Sequence, residues 1–457
     1  MMTRRPLRLI KWFYPGLGVK RWLVVCVIGS LLLINGLNRW LIAEGMHFHI
    51  NEWLDNLVDD FFSPAYLSWI FSFADLALIA YAIRQWFRSI LRATAQGGSE
   101  HLVDSLFEMR LRNGYKIVAI GGGTGLSTLL RGLKKYTTNL TAVVTVSDDG
   151  GSSGRLQKEL GVLPPGDVRN CLVALADDEA LVTDLFKYRF SEGNGLVGHS
   201  FGNLFLAAMT GITGNFDTAV KESSRVLNIK GRVLPSTLGV VRLCATLEDG
   251  TTIEGESNIS ASRGRIERVY FDPPYAAPLG EVIQAIRDAD AIVLGPGSLF
   301  TSILPNFLVD QIAEEVEKAT AVRMYVCNVM TQPGETDALS ASEHAEALTR
   351  NAGGRKVFDY VIVNEEAPSK LLEAYAEEGQ IPVRPDAERI KELGAVPVPA
   401  KVISETVTVR HDPAKLAGVV ISVIERAIAQ RASFVRMGTH EFDRVAPLSA
   451  VDQTRPG

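Results

Sequence analysis

Cysteine is scarce in this sequence: four occur in 457 residues, and no two of them form a C-x-x-C pair. This spacing suits neither a zinc cluster nor a dense disulfide framework, so reduced thiols, as in the cytosol, are the better interpretation. Basic charge is not in excess either, because the formal net charge is -5, and nucleic acid is not expected as a partner. The sequence also lacks the G-x-x-x-x-G-K-[ST] motif, which excludes ATP hydrolysis of the P-loop type.

Two long apolar segments lie in the first hundred residues, at 22–43 and 65–83. Each approaches the roughly 20 residues that a helix needs to cross a bilayer. Lys and Arg flank the pair on the outside and are missing from the connecting loop, which predicts that both ends face the cytoplasm. All six tryptophans lie in this part, as in the aromatic belts of membrane proteins. We therefore predict a two-helix transmembrane hairpin in residues 1–92 and a multi-pass protein of the inner membrane with a cytoplasmic main domain.

Two alternatives to the hairpin stay open. The first apolar segment also has the basic start and apolar core of a secretory signal peptide, although no small-residue cleavage site follows it. Both segments could instead be buried helices of a soluble domain. Further along the chain we predict a polar linker at 93–113, a nucleotide-binding α/β domain at 114–435 and a disordered polar tail at 436–457.

A short buried parallel strand is predicted at 115–120, because this segment is apolar, rich in β-branched residues and ends in glycine. A glycine-rich turn at 121–127 and a helix follow it. This order directs free backbone N–H groups and the positive end of the helix towards a phosphate. A tight turn without a ligand is the alternative, since the spacing is not the standard dinucleotide fingerprint. The ligand-binding candidates here are Gly122, Gly123, Thr124 and Gly125.

A second strand, predicted at 141–146, ends in two adjacent carboxylates followed by glycines and serines. Such a turn can hold a hydrated Mg²⁺, a sugar hydroxyl and a phosphate together. A solvated acidic turn is the alternative. The ligand-binding candidates are Asp148, Asp149, Gly150, Gly151 and Ser152, and the first two are also the candidate Mg²⁺ ligands.

Four polar residues follow in two later motifs. Asp167 and Asn170 are placed at the edge of the predicted pocket, although Asp167 is equally suited to cap a helix. His199 and Asn203 lie one helical turn apart and can face the same cleft. A lone histidine is usually structural, so the catalytic role remains unknown, with Asp148, Asp149 and His199 as its candidates.

A second strand with a glycine turn is predicted late in the chain, at 291–294 and after. Because parallel sheets bind ligands at the carboxyl ends of their strands, its turn is a further candidate for anion binding. The ligand-binding candidates there are Gly295, Gly297 and Ser298, with Asn328 after the next strand. The fold class predicted is a Rossmann-like α/β domain: a parallel sheet with helices on both faces, and a small β insertion at about 231–271.

Six motifs in this order give the sequence a family resemblance: GGGTGLS at 121–127, SDDGGSSGRL at 147–156, PPGDVRNCL at 164–172, GHSFGNL at 198–204, VLPST at 233–237 and GPGSLFTSILPN at 295–306. They resemble the gluconeogenesis-factor family, which is related to 2-phospho-L-lactate transferase (CofD-like). The resemblance covers about 115–435. It implies a Rossmann-like fold that binds a UDP-sugar such as UDP-N-acetylglucosamine, with a role in cell shape and envelope precursor metabolism during gluconeogenic growth.

The resemblance leaves two functions to compare, beside a third possibility, a membrane scaffold that keeps only a relic of the site. The first is a ligand-binding regulator whose occupancy changes its contact with a partner enzyme, and a homodimer is an option that the sequence leaves open. The second, inherited from the transferase side, is a Mg²⁺-dependent transfer from a GDP-linked phospholactate donor to a deazaflavin. No deazaflavin pocket can be recognised in the sequence, so the regulator is the leading hypothesis. The membrane hairpin departs from the usual soluble form of the family.

Overall fold

The structure is a computed structural model that divides into two compact units, Met1–Met109 and Arg110–Gly457. The residues it describes are 76–77, 79–85, 88 and 111–442, except 178, 263, 367, 369–370 and 406–407. In the first unit these residues are helical. Within the described part of the chain, no helix is both long enough and apolar enough to cross a membrane. The predicted span at 22–43 lies outside the described residues, and the span at 65–83 overlaps them only near its end.

The second unit is an α/β domain. Its strands are β1 (Ile117–Gly121), β2 (Leu140–Val144), β3 (Arg232–Pro235), β4 (Arg242–Leu247), β5 (Thr252–Glu254), β6 (Ile266–Asp272), β7 (Ala291–Leu294), β8 (Val322–Val326), β9 (Tyr360–Asn364), β10 (Val396–Ala400), β11 (Ile403–Glu405) and β12 (Val409–His411). Its α-helices are α1 (Gly123–Leu133), α2 (Gly151–Leu160), α3 (Gly166–Leu175), α4 (Glu179–Lys187), α5 (Phe201–Thr213), α6 (Phe216–Val226), α7 (Glu256–Ala261), α8 (Gly280–Arg287), α9 (Leu304–Phe307), α10 (Ile312–Lys318), α11 (Ala341–Asn351), α12 (Leu372–Glu377), α13 (Ala387–Glu392) and α14 (Pro413–Phe442). A π-helical turn, Leu299–Ile303, precedes α9.

The main sheet has seven parallel strands in the order β10-β9-β8-β7-β1-β2-β3. The predicted parallel sheet is therefore confirmed. Its central strands are buried along their whole length, as the continuous apolar runs of β1, β2 and β7 require.

Alternate residues of each strand face two separate apolar cores. In β1, Val118 and Ile120 belong to one core, together with the π-helical turn, α8 and α11. Ile117 and Ala119 belong to the other core, with α1, α3 and α14. This alternation follows from the two-residue period of a strand and confirms that helices cover both faces of the sheet.

The β insertion is a three-stranded antiparallel sheet in the order β5-β4-β6. The sequence indicated the hairpin of β4 and β5 but not the third strand. β3 lies inside the range predicted for the insertion, yet it pairs in parallel with β2 and belongs to the main sheet. The insertion therefore begins after Pro235 rather than at about 231.

Two elements differ from the sequence-based expectation. β10, with the sequence VPVPA, is not among the predicted strands, and its prolines lack the N–H group that a central strand needs. They are tolerated here because β10 is an edge strand that pairs only with β9, and its prolines leave fewer donors for pairing with another chain. α14 continues to Phe442, past residue 436, where the tail was predicted to begin.

We expect Gly132→Ala to destabilise the second unit. A Cβ at Gly132 would lie 2.0 Å from the carbonyl oxygen of Pro413, so α1 would have to move away from α14. Overpacking of this kind typically costs about 1–3 kcal/mol. Gly211→Ala in α5 is the matched control, because nothing lies within 4 Å of its added Cβ and a small stabilisation is expected. Urea denaturation measures the free energy of unfolding of both variants. Equal denaturation midpoints for Gly132→Ala and Gly211→Ala would contradict the close packing of α1 and α14.

Candidate functional site

The candidate site lies between β1 and β7, where the order of the strands in the sheet reverses. From β1 the chain passes through α1 to β2, whereas β7 lies on the other side of β1 and leads towards β8. The helices that follow β1 and β7 belong to opposite cores, so the two turns separate and leave a crevice. A cavity of about 460 Å³ lies there, within the range typical of ligand pockets. It is lined by both turns, including Gly122, Gly123, Thr124, Gly125, Gly297 and Ser298, and by Asn328.

Close contacts explain the glycines of the first turn. A Cβ at Gly125 would lie 2.4 Å from the carbonyl oxygen of Pro296 in the second turn. A Cβ at Gly122 would lie 2.4 Å from Oδ2 of Asp167. Gly122 is the N-cap of α1 and no side chain caps that helix end. The first turn therefore lines the cavity at the start of α1, and its binding of a phosphate stays a prediction.

Asn306 holds the second turn against the end of β1. Its Nδ2 atom lies 3.2 Å from the carbonyl oxygen of Gly121 and 2.9 Å from that of Ser302, and the side chain is fully buried. One amide thus ties the last residue of β1 to the π-helical turn. Such turns often occur at functional sites.

The carboxylate of Glu335 occupies the second predicted anion-binding turn. It accepts hydrogen bonds from Ser260 Oγ at 3.0 Å, Thr301 Oγ1 at 3.2 Å and Ser298 Oγ. The backbone N–H of Phe300 donates to it as well. Burial raises the pKa of this carboxyl and the donors lower it. The donors that the sequence suggested for a phosphate are therefore engaged by the protein itself.

Two more buried carboxyls lie near the first turn. Burial, and then the charge of Asp148, raise the pKa of Asp167 to about 7, although the Gly123 N–H donates to it. Burial, and then Asp167 and Asp148, raise the pKa of Glu256 well above its ordinary value. Glu256 lines the cavity and accepts a hydrogen bond of 3.1 Å from Ser147 Oγ. Accumulated negative charge thus favours the protonated forms on this side of the cavity.

The adjacent carboxylates proposed for Mg²⁺ have different partners. Oδ1 of Asp149 accepts from the N–H of Ser257 at 2.9 Å and from its hydroxyl at 2.8 Å, at the start of α7. Oδ1 of Asp148 accepts from the N–H of Gly150 at 3.0 Å. Across the described residues, no group of three or more His, Cys, Asp or Glu side chains is arranged to hold a metal ion. Mg²⁺ binding by this pair stays a prediction.

Several other predicted residues lie in a buried polar network rather than on the cavity wall. Arg169 donates to Asn170, to Ser200 and to Oδ1 of Asn203, the last at 2.9 Å. Nδ1 of His199 lies 2.9 Å from Ser152 Oγ, and burial lowers its pKa. The predicted residues that do not line the cavity are Asp148, Asp149, Gly150, Gly151, Ser152, Asp167, Asn170, His199, Asn203 and Gly295. Their roles towards a ligand stay predictions.

The cavity is also lined by residues that the sequence did not single out. Arg410 and His411 come from β12, and Tyr375 from α12 accepts a 3.0 Å hydrogen bond from the N–H of Val409. Arg410 is the one lysine or arginine among the described lining residues. Burial lowers the pKa of His411 to about 4, so it is neutral near pH 7. β12 is only three residues long, and its sequence contains no pattern that could have linked Arg410 and His411 to the glycine turns.

Comparison with known proteins gives consistent matches. The family model described as 2-phospho-L-lactate transferase CofD matches residues 117–403. The gluconeogenesis factor of Bacillus subtilis is 49% identical over 311 residues, which cover 68% of this chain and 98% of that protein. A crystal structure of a UPF0052 family protein from Bacillus halodurans is 47% identical with a TM-score of 0.65, and the match covers 67% of this chain and 99% of that one.

Longer relatives also match the chain. A protein of Nostoc sp. is 49% identical over 422 residues, which cover 90% of this chain and 91% of the relative. Because 422 residues are more than Arg110–Gly457 contains, this similarity extends into the first unit. The N-terminal segment is therefore shared with some relatives, while the Bacillus proteins match the second unit almost over their whole length.

We expect Asp167→Asn to change how stability depends on pH. The folded chain keeps a proton on Asp167 up to about pH 7, whereas the unfolded chain releases it near 3.8, so the free energy of unfolding falls as pH rises between these values. The slope is roughly 1.4 kcal/mol per pH unit. The Asn variant should lack this contribution, and its stability relative to the unaltered chain should rise from about pH 5 to about pH 7.

Urea denaturation at both pH values measures this difference. Asp288→Asn is the control, because Asp288 is exposed at the end of α8. Parallel pH dependences for Asp167→Asn and the unaltered chain would show that Asp167 does not titrate as its burial indicates.

Proposed function

This chain belongs to the CofD family, within its gluconeogenesis-factor group, and from that premise we propose that its cavity binds a nucleotide sugar of the UDP-N-acetylglucosamine type. The observation that supports this most directly is the position of the cavity, at the N-terminus of α1 and at the point where the sheet changes direction. In open α/β sheets this point receives the phosphates of nucleotides.

The chemistry of the walls fits the two parts of such a ligand. The N–H groups of the first turn and the guanidinium of Arg410 are suited to a diphosphate. Hydroxyl and amide side chains on the same walls can bind the hydroxyls of ribose and sugar. They are Thr128, Ser260, Thr301, Ser302, Thr331, Asn328, Gln332 and Gln380.

We further propose that the protein acts as a regulator. Of the three catalytic candidates, none lines the cavity, and His199 is hydrogen-bonded within a buried network. Ligand occupancy would then control contact with a partner enzyme and so link envelope precursor supply and cell shape to growth on gluconeogenic carbon sources.

The alternative function is a Mg²⁺-dependent transferase of the 2-phospho-L-lactate type. The description of the matching family model favours it. Formation of product from GDP-activated phospholactate and a deazaflavin in the presence of Mg²⁺ would support this alternative. Binding of UDP-N-acetylglucosamine in EDTA, without turnover, would support the regulator.

We expect Arg410→Ala to weaken binding of UDP-N-acetylglucosamine at least about tenfold. A hydrogen bond to a charged group contributes roughly 1.5–3 kcal/mol, and 1.4 kcal/mol corresponds to tenfold in affinity. Isothermal titration measures the change. Arg225→Ala is the matched control, because that side chain is 78% exposed on α6 and does not line the cavity. Unchanged affinity in Arg410→Ala would place the diphosphate elsewhere.

We also propose that the apolar segments at 22–43 and 65–83 attach the protein to the inner membrane, with the second unit in the cytoplasm. Their length and the charges on their flanks support this proposal. The full chain should then stay in the membrane pellet after alkaline carbonate extraction, and the fragment 110–457 should be released. Release of the full chain would refute membrane spanning.

A further inference from the structure

Four donors converge on Glu335. The hydroxyls of Ser260 and Ser298 and the backbone N–H of Phe300 donate to this carboxylate, and the Thr301 hydroxyl is shared between it and Ser298 Oγ. Its side chain lines the cavity although the residue is only 7% exposed. A carboxylate with this many donors is held in place firmly, because moving it would leave several buried polar groups without partners.

This arrangement makes the two glycine turns unequal. In the first turn the Gly123 N–H donates to Asp167, whose raised pKa favours its neutral form, and the turn's other N–H groups lie at the start of α1, an eleven-residue helix. The second turn uses its hydroxyls and the Phe300 N–H to bind Glu335. A phosphate placed at the second turn would meet a fixed carboxylate instead of free donors, and like charges repel strongly where water is largely excluded.

Glu256 is a second buried carboxyl in the wall of the cavity. It is buried beside Asp167 and Asp148. The part of the cavity between Glu256 and Glu335 therefore presents the carboxylate of Glu335 and the carboxyl of Glu256, whose raised pKa favours the neutral form, whereas Arg410 is the cationic group of the described lining. Hydroxyl groups are the ligand groups that suit such acceptors.

We propose that Glu335 confines the diphosphate of the ligand to the first turn and makes the neighbouring part of the cavity select a neutral, hydroxyl-rich sugar over an anionic group. This inference rests on the proposed function and assigns Glu335 as its specificity-determining residue. The sugar hydroxyls donate to the free lone pairs of Glu335 and Glu256. An added negative charge on the sugar is rejected.

Isothermal titration of the full-length chain with two ligands tests the proposal. UDP-N-acetylglucosamine and UDP-N-acetylglucosaminuronate differ only by a carboxylate in place of the C6 alcohol. We expect the uronate to bind at least about tenfold more weakly, as repulsion between close charges predicts. Because this comparison uses the unaltered protein, it does not depend on the folding of a variant.

Glu335→Gln assigns the discrimination to this residue. The variant keeps the shape of the side chain and removes its charge, so the ratio of the two dissociation constants should fall to about one third or less of its original value. Glu267→Gln is the matched control, because Glu267 is exposed on β6 and does not line the cavity, and its ratio should be unchanged.

The outcomes separate the two proposals. If the unaltered chain binds neither ligand, the proposed function and this inference both fail. If it binds the two ligands equally well, or if a folded Glu335→Gln keeps the original ratio, the assignment of Glu335 is overturned while nucleotide-sugar binding stands.

Discussion

The site depends on one close approach of backbone to backbone. The first and second glycine turns meet so tightly that any side chain at Gly125 would overlap the Pro296 carbonyl. Asn306 reinforces this contact, because its side-chain amide donates to carbonyl groups at the end of β1 and in the π-helical turn. Because β1 and β7 are adjacent buried strands, the turns that follow them have little freedom, and the cavity is preformed by the sheet itself.

Electrostatics at this site oppose stability. Asp167, Glu256 and Glu335 are buried with raised pKa values, so the fold disfavours their ionised forms. Strain of this kind is typical of functional sites, where the groups are arranged for a ligand and not for the fold alone. Glu256, Glu335 and Arg410 line the same cavity, so two buried carboxyls and one guanidinium are available to a ligand there.

The sequence was sufficient for the features that local patterns determine. β1 and β7 are apolar runs followed by glycine turns, and residues of both turns line the cavity. It was insufficient where a role depends on distant neighbours. Glu335 lies 37 residues from Ser298, and nothing in its own segment indicates that it binds that turn. The same limit applies to β10, whose prolines are acceptable only at the edge of a sheet that the sequence does not show.

The two walls of the cavity differ in how firmly the fold holds them. The glycine turns rest directly on the two large cores of the sheet. The wall with Arg410 packs on a small cluster of Val329, Met330, Ile403 and Val409 and reaches the large core through the contact of β12 with α1. Elements with few buried apolar contacts open at lower free energy than the core they are attached to. A ligand that contacts both walls would therefore stabilise mainly the Arg410 wall. A binding site can signal its occupancy only through a part of the protein that changes when the ligand binds, and this wall is such a part.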